Sequence, residues 1–278
     1  MNTLLSLGHG YSASALAARL IPMGWTVIGT CRAPARADGL RAAGVEPLVW
    51  PADLTPALSR ATHILASAAP DAAGDPFLQL AAEALRAARP VWMGYLSTTA
   101  VYGDHQGGWV DETTPVNPGS VRARQRVLAE AQWLETGLPV HIFRLAGIYG
   151  PGRGPFEKVR DGSARRIIKP GQVFSRIHVA DIAEALLASI ARPNPGAIYN
   201  LCDDDPAPPE DVLSYAAHLL GLPAPPAVPY DQAEMSPMAR SFYAESKRVR
   251  NDRIKTELGV RLNFPDYRAG LTGLLKSQ

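Results

Sequence analysis

TLLSLGHGYSASALAARLI (residues 3–21) is the stretch on which the fold turns. Its first five residues form an apolar run of strand length that ends at Gly8. SASALAARLI (12–21) then places apolar residues at helical spacing until Pro22 and Gly24. Between the two, GHGYSA (8–13) fits the strand–turn–helix pattern G-x-G-x-x-G/A. Gly8 permits the tight turn, Gly10 lets backbone approach a pyrophosphate, and Ala13 keeps helix and strand close. His9, Tyr11 and Ser12 complete a candidate cofactor-binding loop, and the helix start offers free N–H groups to phosphate. An ordinary βα turn is the competing reading. The position directly after an N-terminal strand favours a dinucleotide.

The next strand, TVIGT (26–30), runs into GTCRAPAR (29–36), where an NAD site usually carries an acid for the ribose 2′-hydroxyl. No acid precedes Asp38 here. Arg32 and Arg36 stand in its place and suit a 2′-phosphate, so NADP is expected ahead of NAD. Further strand signals follow at EPLVW, HILAS (63–67), VWMGYLS (91–97), VHIFRL (140–145) and AIYNL (197–201). Helical patterns alternate with them at Arg36–Ala43, FLQLAAEALRAA (77–88), the stretch after Pro118, and HVADIAEALLASI (178–190). Such alternation specifies an α/β fold, a doubly wound parallel sheet covered on both faces. The segment from about residue 203 holds helices, Pro-rich loops and few strand signals. The expected division is a dinucleotide-binding domain over 1–150, joined by 176–201, with 151–175 and 202–278 forming a small C-terminal substrate lobe.

Composition narrows the partners. Apolar residues make up 46% and charged residues 19% of 278, as in a packed globular chain. A net charge of +2 gives no electrostatic reason to expect nucleic acid. Two cysteines, Cys31 and Cys202, are too few for a disulfide framework and suit a reducing compartment. No run of about 18 apolar residues suggests a membrane span, and the N-terminus is a poor signal peptide. A cytoplasmic protein acting on a small-molecule ligand is the expectation, and a homodimer is compatible with it.

Several motifs stand in a fixed order along the chain: GHGYSA, Asp53-Leu54, SAA (67–69), STTAVYG (97–103), RLAGIYGPG (144–152) and IHVADIA (177–183). In this order they resemble the extended short-chain dehydrogenase/reductases of the NAD-dependent epimerase/dehydratase type, whose cofactor domain is a Rossmann fold. The resemblance covers nearly the whole chain. It implies that Asp53 and Leu54 approach the adenine and that Ser67, Ala68 and Ala69 line the ribose and nicotinamide side. It implies that Thr98 takes the place of the catalytic Ser/Thr. Tyr102 and Tyr149 are the aromatic hydroxyls it puts closest to the cleft. The family carries both alongside its own catalytic tyrosine, so packing is their expected role, with Tyr102 kept as a catalytic candidate.

One departure changes the chemistry. The family's active-site helix begins P-x-S-P-Y-G-x-S-K, whereas this chain reads Pro118-Gly119-Ser120-Val121-Arg122-Ala123-Arg124-Gln125-Arg126. Arg122 replaces the Tyr and Arg126 the Lys, which is the mark of an atypical branch without the Tyr-x-x-x-Lys pair. Arginine keeps its proton near neutral pH, so Arg122 cannot shuttle one. It can clamp an anion, and Arg126 can donate to ribose hydroxyls. The two lie one helical turn apart on one face, while Arg124 points to solvent. Three plain surface charges are the alternative. Phe174 also stands where nucleotide-sugar members place an Arg for the diphosphate, which speaks against that substrate. His178 and Asp181 lack a third metal ligand nearby and are expected to hydrogen-bond between lobes, with no metal. The functional expectation is an NADP-binding oxidoreductase-like protein working on a small anionic carbonyl or hydroxyl compound. An NADP(H) sensor without turnover and a sugar-derivative epimerase or dehydratase are the rivals.

Overall fold

The computed structural model describes residues 2–277. The strands in chain order are β1 (Thr3–Leu7), β2 (Thr26–Cys31), β3 (Glu46–Val49), β4 (His63–Ala66), β5 (Trp92–Thr98), β6 (Trp109–Val110) and β7 (Val140–Leu145). They continue with β8 (Gly147–Tyr149), β9 (Arg166–Ile168), β10 (Arg176–His178), β11 (Ile198–Leu201), β12 (Ala227–Pro229) and β13 (Arg248–Val249). Seven of these form one parallel sheet in the order β11-β7-β5-β4-β1-β2-β3. The chain lays strands outward from β1 to β3, then returns to place β4 on the other side of β1. At that reversal the connections leave β1 and β4 on opposite faces, and a crevice opens at their carboxyl ends.

The strands are buried on both sides, and successive side chains enter different cores. Leu4, Val27 and Leu65 join one apolar cluster with the Tyr11–Leu20 and Val179–Ala191 helices. Leu5, Leu7, Ile28 and Ile64 join another with Phe77, Leu85 and Trp133 from the helices of the opposite face. This explains why the strands read as apolar runs rather than as alternating patterns. The helix expected over Arg36–Ala43 starts at Ala37, because Pro34 opens a short 3-10 turn over Pro34–Arg36 that directs the chain into it.

A third apolar cluster gathers Tyr149, Phe156, Val159 and Ala164 with Val212, Ala216, Tyr267 and Leu271. Three two-stranded parallel pairs, β8·β10, β9·β12 and β6·β13, stitch these later segments to each other and to the loop after β5. Val249, Ile254, Leu258 and Val260 do not join the third cluster; they pack in the main core. The stretch 202–278, expected to form a separate lobe, is therefore tied to the sheet by one of its own segments. Cys31 and Cys202 are buried and free. Among the described residues no helix is long and apolar enough to cross a membrane, and no group of three or more His, Cys, Asp or Glu side chains is poised to hold a metal.

Candidate functional site

The glycine loop sits at the strand-order reversal. Gly8 has φ +82°, and a Cβ there would meet the Ala68 backbone nitrogen at 2.8 Å, so only glycine fits between β1 and the segment after β4. Thr30 on β2 and Ser67 after β4 lock the turn from both sides. Gly8 N donates to Thr30 Oγ1 at 2.6 Å, and Ser67 Oγ donates to Gly8 O at 2.6 Å. Gly10 differs. A Cβ there would meet nothing nearer than Gly8 O at 3.7 Å, so no neighbour within the protein demands glycine at this position. Gly10 also begins the Tyr11–Leu20 helix, and no side chain caps it. Its first amides therefore receive no side-chain partner from the capping residue.

The remaining cofactor candidates divide by exposure. Arg32 and Arg36 are exposed on the loop after β2, and Arg36 Nη2 reaches His9 O at 3.4 Å. The His9 ring turns away from the loop mouth and rests over Gly29, buried, so His9 offers the loop its backbone alone. With Ser14, Arg36, Leu40 and Val45 it lines a cavity of about 340 Å³ between the first two helices. Burial, then the nearby Arg36 charge, pushes the His9 pKa down to about 4. Tyr11 is half-buried and its hydroxyl donates to Pro151 O at 2.9 Å, linking the loop to the chain after β8. Ser12 is buried at the helix start. Asp53 is exposed; the Thr55 side chain, and after it the Thr55 amide that donates to the carboxylate at 2.9 Å, hold its pKa below the usual range. Leu54 is buried in the core, and Ala68 and Ala69 continue the segment beside Gly8.

RARQR lies on the Val121–Leu134 helix, started by Ser120, whose hydroxyl accepts from Ala123 N at 3.2 Å. The three arginines do different things. Arg126 is half-buried and turns toward the carboxyl end of β5: its Nη1 donates to Leu96 O at 2.6 Å and to Tyr95 Oη at 3.1 Å. Nε and Nη2 of Arg126 hydrogen-bond to no described residue. Arg122 is exposed and makes no hydrogen bond or ion pair to any described residue. Arg124 is exposed and reaches only Gly119 O, at 3.5 Å. Thr98, half-buried at the end of β5, accepts from Ala100 N at 3.2 Å and keeps its own O–H free to donate.

Tyr102, kept in the sequence analysis as a catalytic candidate, is enclosed within the protein. Its ring is fully buried, its hydroxyl donates to Asn200 Oδ1 at 2.8 Å, and it accepts from Arg144 Nη1 at 3.1 Å. Arg144 in turn holds Glu130 through two bonds, at 3.1 and 2.8 Å, and Glu130 accepts from Ser97 Oγ. This buried chain (Ser97, Glu130, Arg144, Tyr102, Asn200) crosses from the active-site-like helix through β5 and β7 to β11 and fixes the floor beneath Thr98. An Arg inside a strand and a Glu inside a helix were the available signal for the pair. Asp181 accepts from Asn263 N and Nδ2 and from Phe264 N, so it fastens the chain before the last helix. His178 caps its own helix through Nδ1 and packs on Phe264.

Residues 78–202 match the model of the NAD dependent epimerase/dehydratase family. Protein YeeZ of Escherichia coli K12 is 33% identical over 96% of this chain and 97% of its own length. The chain belongs to the NAD-dependent epimerase/dehydratase family. A solved structure of a functionally unknown conserved protein from Silicibacter pomeroyi is 60% identical, covers 100% of this chain and 99% of its own, and superposes with a TM-score of 0.97. Human epimerase family protein SDR39U1, solved with NADPH, covers 100% of both chains with a TM-score of 0.79 at 19% identity, a likeness of fold.

Proposed function

We propose that the protein binds NADP(H) across the carboxyl ends of β1, β4 and β5 and acts as an oxidoreductase on a small anionic carbonyl or hydroxyl compound. One observation carries the cofactor reading: an uncapped helix N-terminus follows the Gly8–Gly10 turn at the point where strand order reverses. The open space around the Gly10 Cα fits a pyrophosphate, and the NADPH bound to human SDR39U1 supports a nicotinamide cofactor in this fold. Arg32 and Arg36, with no acid beside them, support the 2′-phosphate form. The bound cofactor would supply the hydride. Arg126, held against β5 with N–H groups to spare, would donate to ribose hydroxyls. Thr98 would donate to the substrate oxygen, and Arg122 would meet the anionic group.

A second reading, NADP(H) binding without turnover, draws support from the Tyr102 hydroxyl being engaged in the buried network. The Tyr149 hydroxyl, on a buried side chain, is turned to Asp266 O at 3.4 Å, so neither tyrosine offers a free hydroxyl for the proton shuttle that Arg122 replaces. Titration with NADPH and NADH, followed by single-turnover assays with a panel of keto acids, decides between them. Tight NADPH binding with oxidation only when a keto acid is present supports the first reading. Binding with no oxidation across the panel supports the second, and absence of binding to either cofactor overturns both.

A further inference from the structure

Away from the glycine loop, the later part of the chain assembles a surface that the cofactor reading leaves unused. Tyr230 follows β12, and two cations lie over its ring: Lys169 Nζ at 5.1 Å and the Arg240 guanidinium carbon at 5.3 Å from its centre. The rings of Tyr243 and Phe174 extend the wall, Tyr230–Tyr243 at 5.6 Å and Tyr243–Phe174 at 5.4 Å between centroids. Lys169 also donates to Tyr243 O, and Arg240 to Ala233 O at 2.9 Å. Neither cation forms an ion pair with any described residue. Two positive charges brought to one ring repel each other, and the ring quadrupole offsets that repulsion only in part.

The same wall adjoins the altered helix. Four residues beyond Tyr243, Lys247 Nζ donates to Gly103 O at 2.8 Å, just past the turn that follows Thr98. A Cβ on Gly119 would meet Glu245 Oε1 at 3.1 Å, so this segment also touches the approach to Ser120 and Arg122. On the helix that carries Arg240, Phe242 remains 58% exposed. Half-buried aromatic faces, two cations without an ion-pair partner among the described residues, and an exposed ring therefore lie beside the proposed site, with the Asp104 and Glu210 carboxylates near enough to act on Lys169 and Tyr243.

We propose that this surface is the recognition site for a ligand in which an aromatic ring carries an oxyanion, carboxylate or phosphate. The ring stacks on the Tyr230, Tyr243 and Phe174 wall, and the oxyanion relieves the repulsion between Lys169 and Arg240. The proposal rests on the reading above only in naming the substrate class; it requires neither cofactor nor turnover.

The test is calorimetric titration of the full chain, without cofactor, using phenyl phosphate, benzoate, inorganic phosphate and benzyl alcohol as probes. Phenyl phosphate or benzoate should bind at least about tenfold more tightly than both inorganic phosphate and benzyl alcohol. Arg240→Gln, at an exposed position and with an amide that can still donate to Ala233 O, should weaken that binding about fivefold or more, as should Lys169→Met, in variants whose thermal unfolding matches the parent. Tyr230→Leu should lower the preference for phenyl phosphate over inorganic phosphate. Which of phenyl phosphate and benzoate binds better assigns the oxyanion. Equal affinity for benzyl alcohol, equal affinity for inorganic phosphate, or unchanged binding in Arg240→Gln would overturn the proposal. A parallel NADPH titration keeps the two readings separate: loss of cofactor binding in Gly10→Val with phenyl phosphate binding intact leaves this surface standing.

Discussion

Gly10 and Arg126 show how a single position can be read and then tested. Gly10→Val places a branched side chain in space that no protein atom fills, so the fold should survive while NADPH binding is lost; an unchanged NADPH affinity in the folded variant would remove the cofactor from this loop. Arg32→Ala should cost about 1.5–3 kcal/mol of NADPH affinity and leave NADH affinity in place, checked by titrating both. Arg126→Ala should weaken both cofactors, since its proposed contact is to a ribose they share, while Arg122→Ala should spare cofactor binding. Gly8 was legible because a backbone requirement is written directly as a residue type, whereas nothing within the protein requires glycine at position 10. The inward turn of Arg126 was legible from spacing along one helix. The fate of Tyr102 was not: its partners Arg144 and Asn200 lie 42 and 98 residues away, and nothing local encodes which hydroxyl they occupy.

At the scale of elements, the sheet was legible because buried parallel strands need continuous apolar runs and their crossover helices need 3.6-residue spacing. What joins the elements was not. The Val121–Leu134 helix is fastened to β5 and β7 by the Glu130–Arg144 pair, both partners nearly sealed from water. Removing one partner strands the other charge. Glu130→Ala should therefore destabilise the chain by about 3–5 kcal/mol in chemical denaturation. A loss below about 1 kcal/mol would show that water reaches Arg144. The short strands β9, β12 and β13 escaped detection for a related reason: two or three residues carry no periodicity, and their pairing partners are remote in sequence.

The molecule as a whole should show a pH dependence set by its interior. Burial holds His9, His63 and His178 near pKa 4, with the Arg36 charge adding to the effect at His9. Above the ordinary histidine value of 6.5 both folded and unfolded chains carry them neutral, and their contribution is complete. As pH falls from 6.5 toward 4 the unfolded chain takes up protons first, and stability drops by about 1.4 kcal/mol per pH unit for each histidine. His63→Phe should lower the slope of denaturation free energy in that window by about this amount. Asp203 acts with the opposite sign. Burial raises it to about 8 against the pull of Arg176, so its folded form keeps a proton that the unfolded chain has already released, and stability is lost as pH rises toward 8. The stabilising difference between Asp203→Asn and the parent should therefore grow from pH 4 to pH 8. A difference that stays flat would mean that Asp203 is ionised in the folded chain.

The return of Val249–Val260 to the main core has a mechanical consequence. The chain crosses between the main core and the third cluster near residues 146–149, 164–177, 202–207, 220–249 and 260–267. A lobe suspended from one linker can swing about it; a lobe threaded through this many crossings has almost no rotational freedom of its own. Admission and release of a ligand must then fall to loop-sized displacements, such as parting of the Tyr11–Pro151 contact, rather than to one body rotating from another. Amide exchange should register this as fast opening confined to the loops, with the crossing segments exchanging at the slow rate of the sheet.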